Sequence, residues 1–244
     1  YLHHFYISVI IGIVILSIVV LRTLSGKEPV VTANKQPAAL TPPQLLGKKI
    51  FFDGHLSDPF GKSCASCHSP VSGFADPEKN AISPGALNTE FGNRNSLSVA
   101  YSAFTPYFHY DSAESAYTGG LFWDGRAKTL SEQAMNPLLG HSEMNNMDKK
   151  TVVDQVKKSD YKDLFLYVFG SDAFDDENKA FENILEAIEE YEETLEISPF
   201  TSKFDYYLEG LTSLNESELR GMKLFNDTTK GNCAACHPST PDKF

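Results

Sequence analysis

Ser63-Cys64-Ala65-Ser66-Cys67-His68, answered near the far end of the chain by Cys233-Ala234-Ala235-Cys236-His237, sets the architecture of this protein. The chain has 244 residues and four cysteines, and all four fall in these two copies of Cys-x-x-Cys-His. Three uses of such cysteines compete: disulfides, a zinc site and haem attachment. A zinc ribbon also uses Cys-x-x-Cys pairs, but it needs no histidine directly after each second cysteine, and its pairs usually lie much closer together. If each segment is helical, cysteines three apart share a face, and each can form a thioether to one haem vinyl group. The histidine that follows then turns toward the iron as proximal ligand. The pattern therefore predicts two covalently bound haem c groups, one held by Cys64 and Cys67 with His68 on the metal, the other by Cys233 and Cys236 with His237. Attachment of this kind takes place outside the cytoplasm, so the chain is expected to be extracytoplasmic.

Working outward, Leu40 to Asp53 aligns without gaps on Leu214 to Asp227. Gly47 meets Gly221, Lys49 meets Lys223, Phe51 meets Phe225, and Asp53 meets Asp227. Both copies open on a helix-start signal. Thr41 and Gln44 form a capping box with Pro42 at the first helical position, and Asn215 and Glu218 form a second. Leu40 with Leu45, and Leu214 with Leu219, stand where a hydrophobic staple would form. Ten residues then precede Cys64 and five precede Cys233. Chance similarity is the weaker explanation, because the match leads into the same motif both times. The repeat predicts a duplicated entrance to two cytochrome c-like domains, residues 41–205 and 206–244.

Residues 1–21 contain no Asp, Glu, Lys or Arg. At about 1.5 Å rise per residue they span roughly 30 Å, the thickness of a bilayer core. Residues 1–24 are therefore expected to be a membrane anchor, ahead of a cleaved signal segment and a buried core helix. Arg22 and Lys27 run against the positive-inside trend if the rest is outside the cytoplasm. Tyr1 rather than Met opens the chain, so further residues are expected before it. Residues 25–40 read as a linker. Beyond it, 41% hydrophobic and 22% charged residues suit compact domains. Phe181, Ile184, Leu185, Ile188, Tyr191 and Leu195 form one helical stripe, and Thr151 to Val168 also reads as helix. No alternating strand run stands out, and residues 69–120 read as long loops over a haem, so the fold class is all-α. Between Asp172 and Glu196 lie eleven acidic residues and one lysine. They are either a solvated helix face or a docking surface for a basic electron donor. Nothing points to nucleic acid.

The text between the haem motifs resembles the bacterial dihaem cytochrome c peroxidases and the related MauG proteins. The resemblance rests on Phe51-Phe52-Asp53, Asn93-Arg-Asn-Ser96, Phe122-Trp-Asp-Gly-Arg126, Glu132-Gln-Ala134, Ser142-Glu-Met144 and the two haem motifs. It implies a peroxidatic first haem and an electron-accepting second haem. Trp123 would match the tryptophan that relays electrons between them; the plain alternative is a core aromatic. Gln133 and Glu143 would match the pocket on the open face of the peroxidatic haem. There a carboxyl can move peroxide's proton from one oxygen to the other, making Glu143 the general acid/base, and Gln133 can orient peroxide by hydrogen bonds. Asn95 would match an asparagine near a calcium site between the domains.

The resemblance thus implies reduction of hydrogen peroxide to water, with electrons from a small periplasmic cytochrome c or cupredoxin. It also leaves room for a homodimer. The periplasm, with the inner membrane holding residues 1–24, is the expected location. A MauG-like oxidase acting on a protein partner and a non-enzymatic dihaem electron carrier are the alternatives. Glu143 and Gln133 disfavour the carrier, whose haems need no acid beside them. Two departures stand out. Residues 69–108 hold no histidine to occupy the resting sixth position of the first haem, so a five-coordinate iron is expected, with His109 and His141 the nearest substitutes. The family's second domain continues well past its haem motif, whereas this chain runs seven residues beyond His237, so a fragment is expected.

Overall fold

The structure, a computed structural model, describes residues 39–113, 115–237 and 239. The expected anchor at 1–24 and nearly all of the linker lie outside the described residues. Among those described, no helix is long and apolar enough to cross a membrane. The chain is mostly helical: α1 Pro42–Phe51, α2 Cys64–Cys67, α3 Leu130–Leu139, α4 Lys149–Val156, α5 Lys162–Phe169, α6 Glu177–Glu192, α7 Lys203–Leu208 and α8 Glu216–Asn226. Contacts divide it into two compact units: residues 201–219 lie in one, residues 39–200 and 220–239 in the other.

The all-α expectation needs one correction. His109–Asp111 (β1) and Ala116–Thr118 (β2) pair antiparallel, Tyr110 opposite Tyr117. Three-residue strands are too short to carry a readable alternation, and both lie almost entirely on the exposed surface, where no core selects a pattern. The helix read over Thr151 to Val168 is two helices. Lys157 to Tyr161 interrupts it, with the Ser159 hydroxyl donating to the Val156 carbonyl (2.8 Å) and closing the end of α4.

The larger unit is built on α1 and α6. The α6 stripe Phe181, Ile184 and Ile188 is at most 1% exposed, and Leu46 and Ile50 of α1 meet it in the same core as Val152, Val153, Val156 and Phe165. Gly47 lets the two helices approach so closely that a Cβ there would lie 1.7 Å from the Ala187 carbonyl oxygen. Gly47→Ala should therefore push α1 off α6 and lower stability by about 1–3 kcal/mol, the usual range for overpacking. A denaturant midpoint unchanged from the parent would contradict this contact. Its counterpart in the repeat, Gly221, has nothing within 4 Å of the same position among the described residues.

Both capping boxes form. The Thr41 backbone N–H donates to Gln44 Oε1 (3.1 Å), and Asn215 and Glu218 exchange bonds of 2.7 and 3.0 Å. The repeated aspartates do the same work in each copy: Asp53 accepts from the His55 N–H (2.8 Å) and Asp227 from the Thr229 N–H (2.9 Å). Each turns the chain from helix toward its cysteine motif. The motifs close alike as well, the His68 N–H reaching the Cys64 carbonyl at 2.9 Å and the His237 N–H reaching that of Cys233 at 2.8 Å.

Candidate active site

One turn of helix, α2, carries Cys64 and Cys67, and it starts at a Ser63 whose N–H donates to Ser66 Oγ (3.0 Å). His68 follows at the end of that turn. Its Nδ1 lies 3.3 Å from the Phe74 carbonyl oxygen. A carbonyl only accepts, so a proton on Nδ1 faces Phe74, the outer partner that a metal-ligating histidine uses, and the Leu97 backbone is a second partner of the ring. Phe74 holds that carbonyl in place from a left-handed backbone (φ 60°). Burial pushes the His68 pKa down, which further favours the neutral ring.

Cys64, Cys67 and His68 line a single cavity of about 560 Å³ together with Asn95, Trp123, Gln133 and Glu143. The fold thus brings seven of the residues singled out in the sequence to one place. All four cysteines are free thiols. Burial first, and the nearby Glu192 charge second, pushes the Cys64 pKa up to about 12, and burial raises Cys67. Such thiols stay protonated near neutral pH, which does not suit a thiolate redox pair.

Gln133 lies on α3, whose start is fixed by Thr129 Oγ1 accepting the Glu132 N–H (3.1 Å) and by Glu132 Oε2 accepting the Lys128 N–H (2.8 Å). Pro137 near the helix's end also lines the cavity. Glu143 stands on the loop that follows. That loop is pinned by the Ala86 N–H donating to the Glu143 carbonyl (2.6 Å), by Asn145 Nδ2 reaching the Asp58 carbonyl (2.7 Å), and by buried Asn146 bridging the Leu56 and Leu138 carbonyls (2.7 and 2.8 Å). Glu143 is exposed to the cavity, yet the protein mass around its carboxyl raises its pKa through desolvation, with the Arg126 charge opposing. The Arg126 guanidinium sits 3.6 Å from the centre of the Phe122 ring and pairs with Asp124 (2.8 Å).

Trp123 is 58% exposed, so it is not the core aromatic of the plain alternative. Its indole N–H donates to the Asn95 carbonyl (2.9 Å). The Asn95 side-chain nitrogen in turn donates to the Asn80 carbonyl (3.2 Å). Among the described residues no group of three or more His, Cys, Asp or Glu side chains suits a metal ion, and Asn95 alone does not make a calcium site. His109 and His141 are exposed and lie outside the cavity wall, bonded through Nδ1 to the Tyr107 carbonyl and the Asn145 side chain (2.7 Å each). Cys233, Cys236 and His237 of the second motif are exposed.

A haem fits this cavity on the chemistry of its wall: two cysteines three apart, a histidine anchored through Nδ1, and a buried carboxyl oxygen of Glu192 that finds no partner among the described residues. Residues 43–213 match the model of the di-haem cytochrome c peroxidase family. The chain belongs to that family. It is 37% identical over 197 residues to the methylamine utilization protein MauG of Paracoccus denitrificans, covering 79% of this chain and 50% of that one. With the cytochrome c551 peroxidase of Pseudomonas aeruginosa it shares 36% identity over 195 residues, 79% of this chain and 49% of that one. The crystal structure of the diheme peroxidase BthA from Burkholderia thailandensis superposes with a TM-score of 0.74 at 34% identity, over 84% of this chain and 52% of BthA. The chain spans about half the length of the relatives it matches.

Reading the sequence missed Glu192. Ile184, Ile188 and Glu192 recur every fourth residue, so a carboxylate sits on the buried stripe of α6, and that misplaced charge was the available signal.

Proposed function

We propose that the chain is the peroxide-binding part of a dihaem peroxidase that reduces hydrogen peroxide to water with electrons from a small cytochrome c or cupredoxin. The observation that carries the proposal is the single cavity in which Cys64, Cys67 and His68 face the same space as Gln133 and Glu143. In it, Cys64 and Cys67 would hold the haem by thioethers and His68 would ligate its iron through Nε2. When bound, the haem supplies a redox-active iron for cleaving the O–O bond. The protein moves the protons. Glu143 takes a proton from one peroxide oxygen and returns it to the departing one, and its raised pKa keeps a proton available nearer neutral pH than an ordinary carboxyl would. Gln133 has no charge to exchange and orients peroxide by hydrogen bonds.

In this reading residues 41–205 form the peroxidatic domain, residues 206–244 begin the electron-accepting one with Cys233, Cys236 and His237 around the second haem, and the protein works in the periplasm from an inner-membrane anchor. The second reading, an oxidase acting on a protein partner, is favoured by the similarity to MauG. Trp123 is the relay in both. In the full-length haem-loaded protein, Trp123→Phe should keep both haems and peroxide access to the first, yet slow oxidation of the second after rapid mixing with peroxide. Stopped-flow absorption follows the two haems separately. Equal rates in variant and parent would withdraw the relay assignment.

A further inference from the structure

Glu192 stands on the last turn of α6, one turn beyond Ile188, and both line the haem cavity. Its side chain is almost wholly enclosed, with 3% of the residue exposed, and Oε2 has no hydrogen-bond partner among the described residues. An ionised carboxylate left so is costly, and a neutral one can donate into the cavity. The same turn faces a second space. Glu189 and Glu193 line a cavity of about 120 Å³ with Lys128, Thr129 and Tyr107, and Ser102, Thr105, Leu121 and Leu130 form walls of both cavities. Three carboxyl groups on one helical turn therefore lead from a polar side pocket to the haem cavity.

We propose that Glu192 is the proton-accepting partner of the first haem: when the ferric iron takes one electron from a one-electron donor and becomes ferrous, the Glu192 carboxylate takes one proton that enters past Glu189 and Glu193. The step balances as one electron to iron and one proton to Glu192, and reoxidation releases both. It rests on the reading that a haem occupies the first motif. Burial, with repulsion from Glu189 second, pushes the Glu192 pKa up to about 8, so the charge that iron gains or loses beside it decides whether the proton is held. Among the described residues, Glu189 on its own helix acts on this carboxyl, while Cys64 of α2 and Tyr191 feel its charge in return. The cavity wall otherwise carries Lys62, Arg94, Arg126, Glu143 and His68.

The test is a spectroscopic redox titration of the first haem in the full-length protein, with dithionite as reductant, at several values between about pH 6 and about pH 9. In the parent the midpoint should fall as pH rises, by up to about 59 mV for each tenfold loss of protons. Glu192→Gln should flatten that slope while keeping the haem. Glu189→Gln leaves Glu192 in place but removes its repulsion, and should move the sloping window to lower pH; this variant decides the matter if Glu192→Gln folds poorly. A parent with no slope, an unchanged slope in Glu192→Gln, or an unmoved window in Glu189→Gln overturns the proposal. Absence of haem from the first motif shows in the absorption spectrum before any potential is read, and overturns the functional reading with it.

Discussion

Replacing Cys64 and Cys67 together by alanine in the full-length protein should leave one covalently bound haem where the parent holds two, and should abolish the reaction with peroxide. The two sulfurs stand on one helical turn and have no disulfide partner. Their raised pKa values argue against a thiolate redox pair as well. Without the thioethers, only the bond from His68 would hold the haem, and denaturing extraction would release it. The second motif has its own cysteines and the same closing turn, so its haem should stay. Haem quantification after extraction checks the count. Retention of two haems by the variant would mean that these cysteines do not attach the group.

Glu143→Gln is expected to slow peroxide cleavage by roughly 10² to 10⁴, the usual contribution of a positioned general acid/base. Glutamine has nearly the same shape, so the loop held by Asn145 and Asn146 should keep its place and haem content should not change. The pH profile supplies a sign. Because desolvation by the surrounding protein raises the carboxyl pKa, the parent retains the protonated form to higher pH than an ordinary glutamate would, and any limb due to its ionisation lies above the ordinary carboxylate range. That limb should vanish in the variant. A variant with the parent's rate would remove Glu143 from the chemistry.

Much of this site was legible in the sequence because its signals are local. A Cys-x-x-Cys-His run fixes its own geometry through one turn of helix, and the capping boxes at Thr41 and Asn215 do so through hydrogen bonds between residues three apart. The family resemblance added Gln133 and Glu143, which no local rule would have joined to His68, and the cavity brings them together. What stayed hidden depends on contacts between distant segments. The Phe74 carbonyl behind His68 depends on one residue's left-handed backbone, which phenylalanine does not advertise. Gly47 looked like a repeat position, and only the approach of Ala187 shows why it is glycine. The hairpin at 109–118 escaped because exposed three-residue strands need no pattern. Glu192 hides within an acidic run, although its spacing from Ile188 places it on the buried face.

Reduction of peroxide at the expense of a small redox protein is tested by mixing the full-length haem-loaded protein, in catalytic amount, with hydrogen peroxide and an excess of reduced small cytochrome c, and counting donor oxidised against peroxide consumed. Reduction of peroxide to two waters takes two electrons and two protons, so two molecules of a one-electron donor should be oxidised for each peroxide, through many turnovers. Consumption of peroxide that leaves the donor reduced, with oxidation appearing instead on an added protein partner, would contradict the peroxidase account and favour the oxidase.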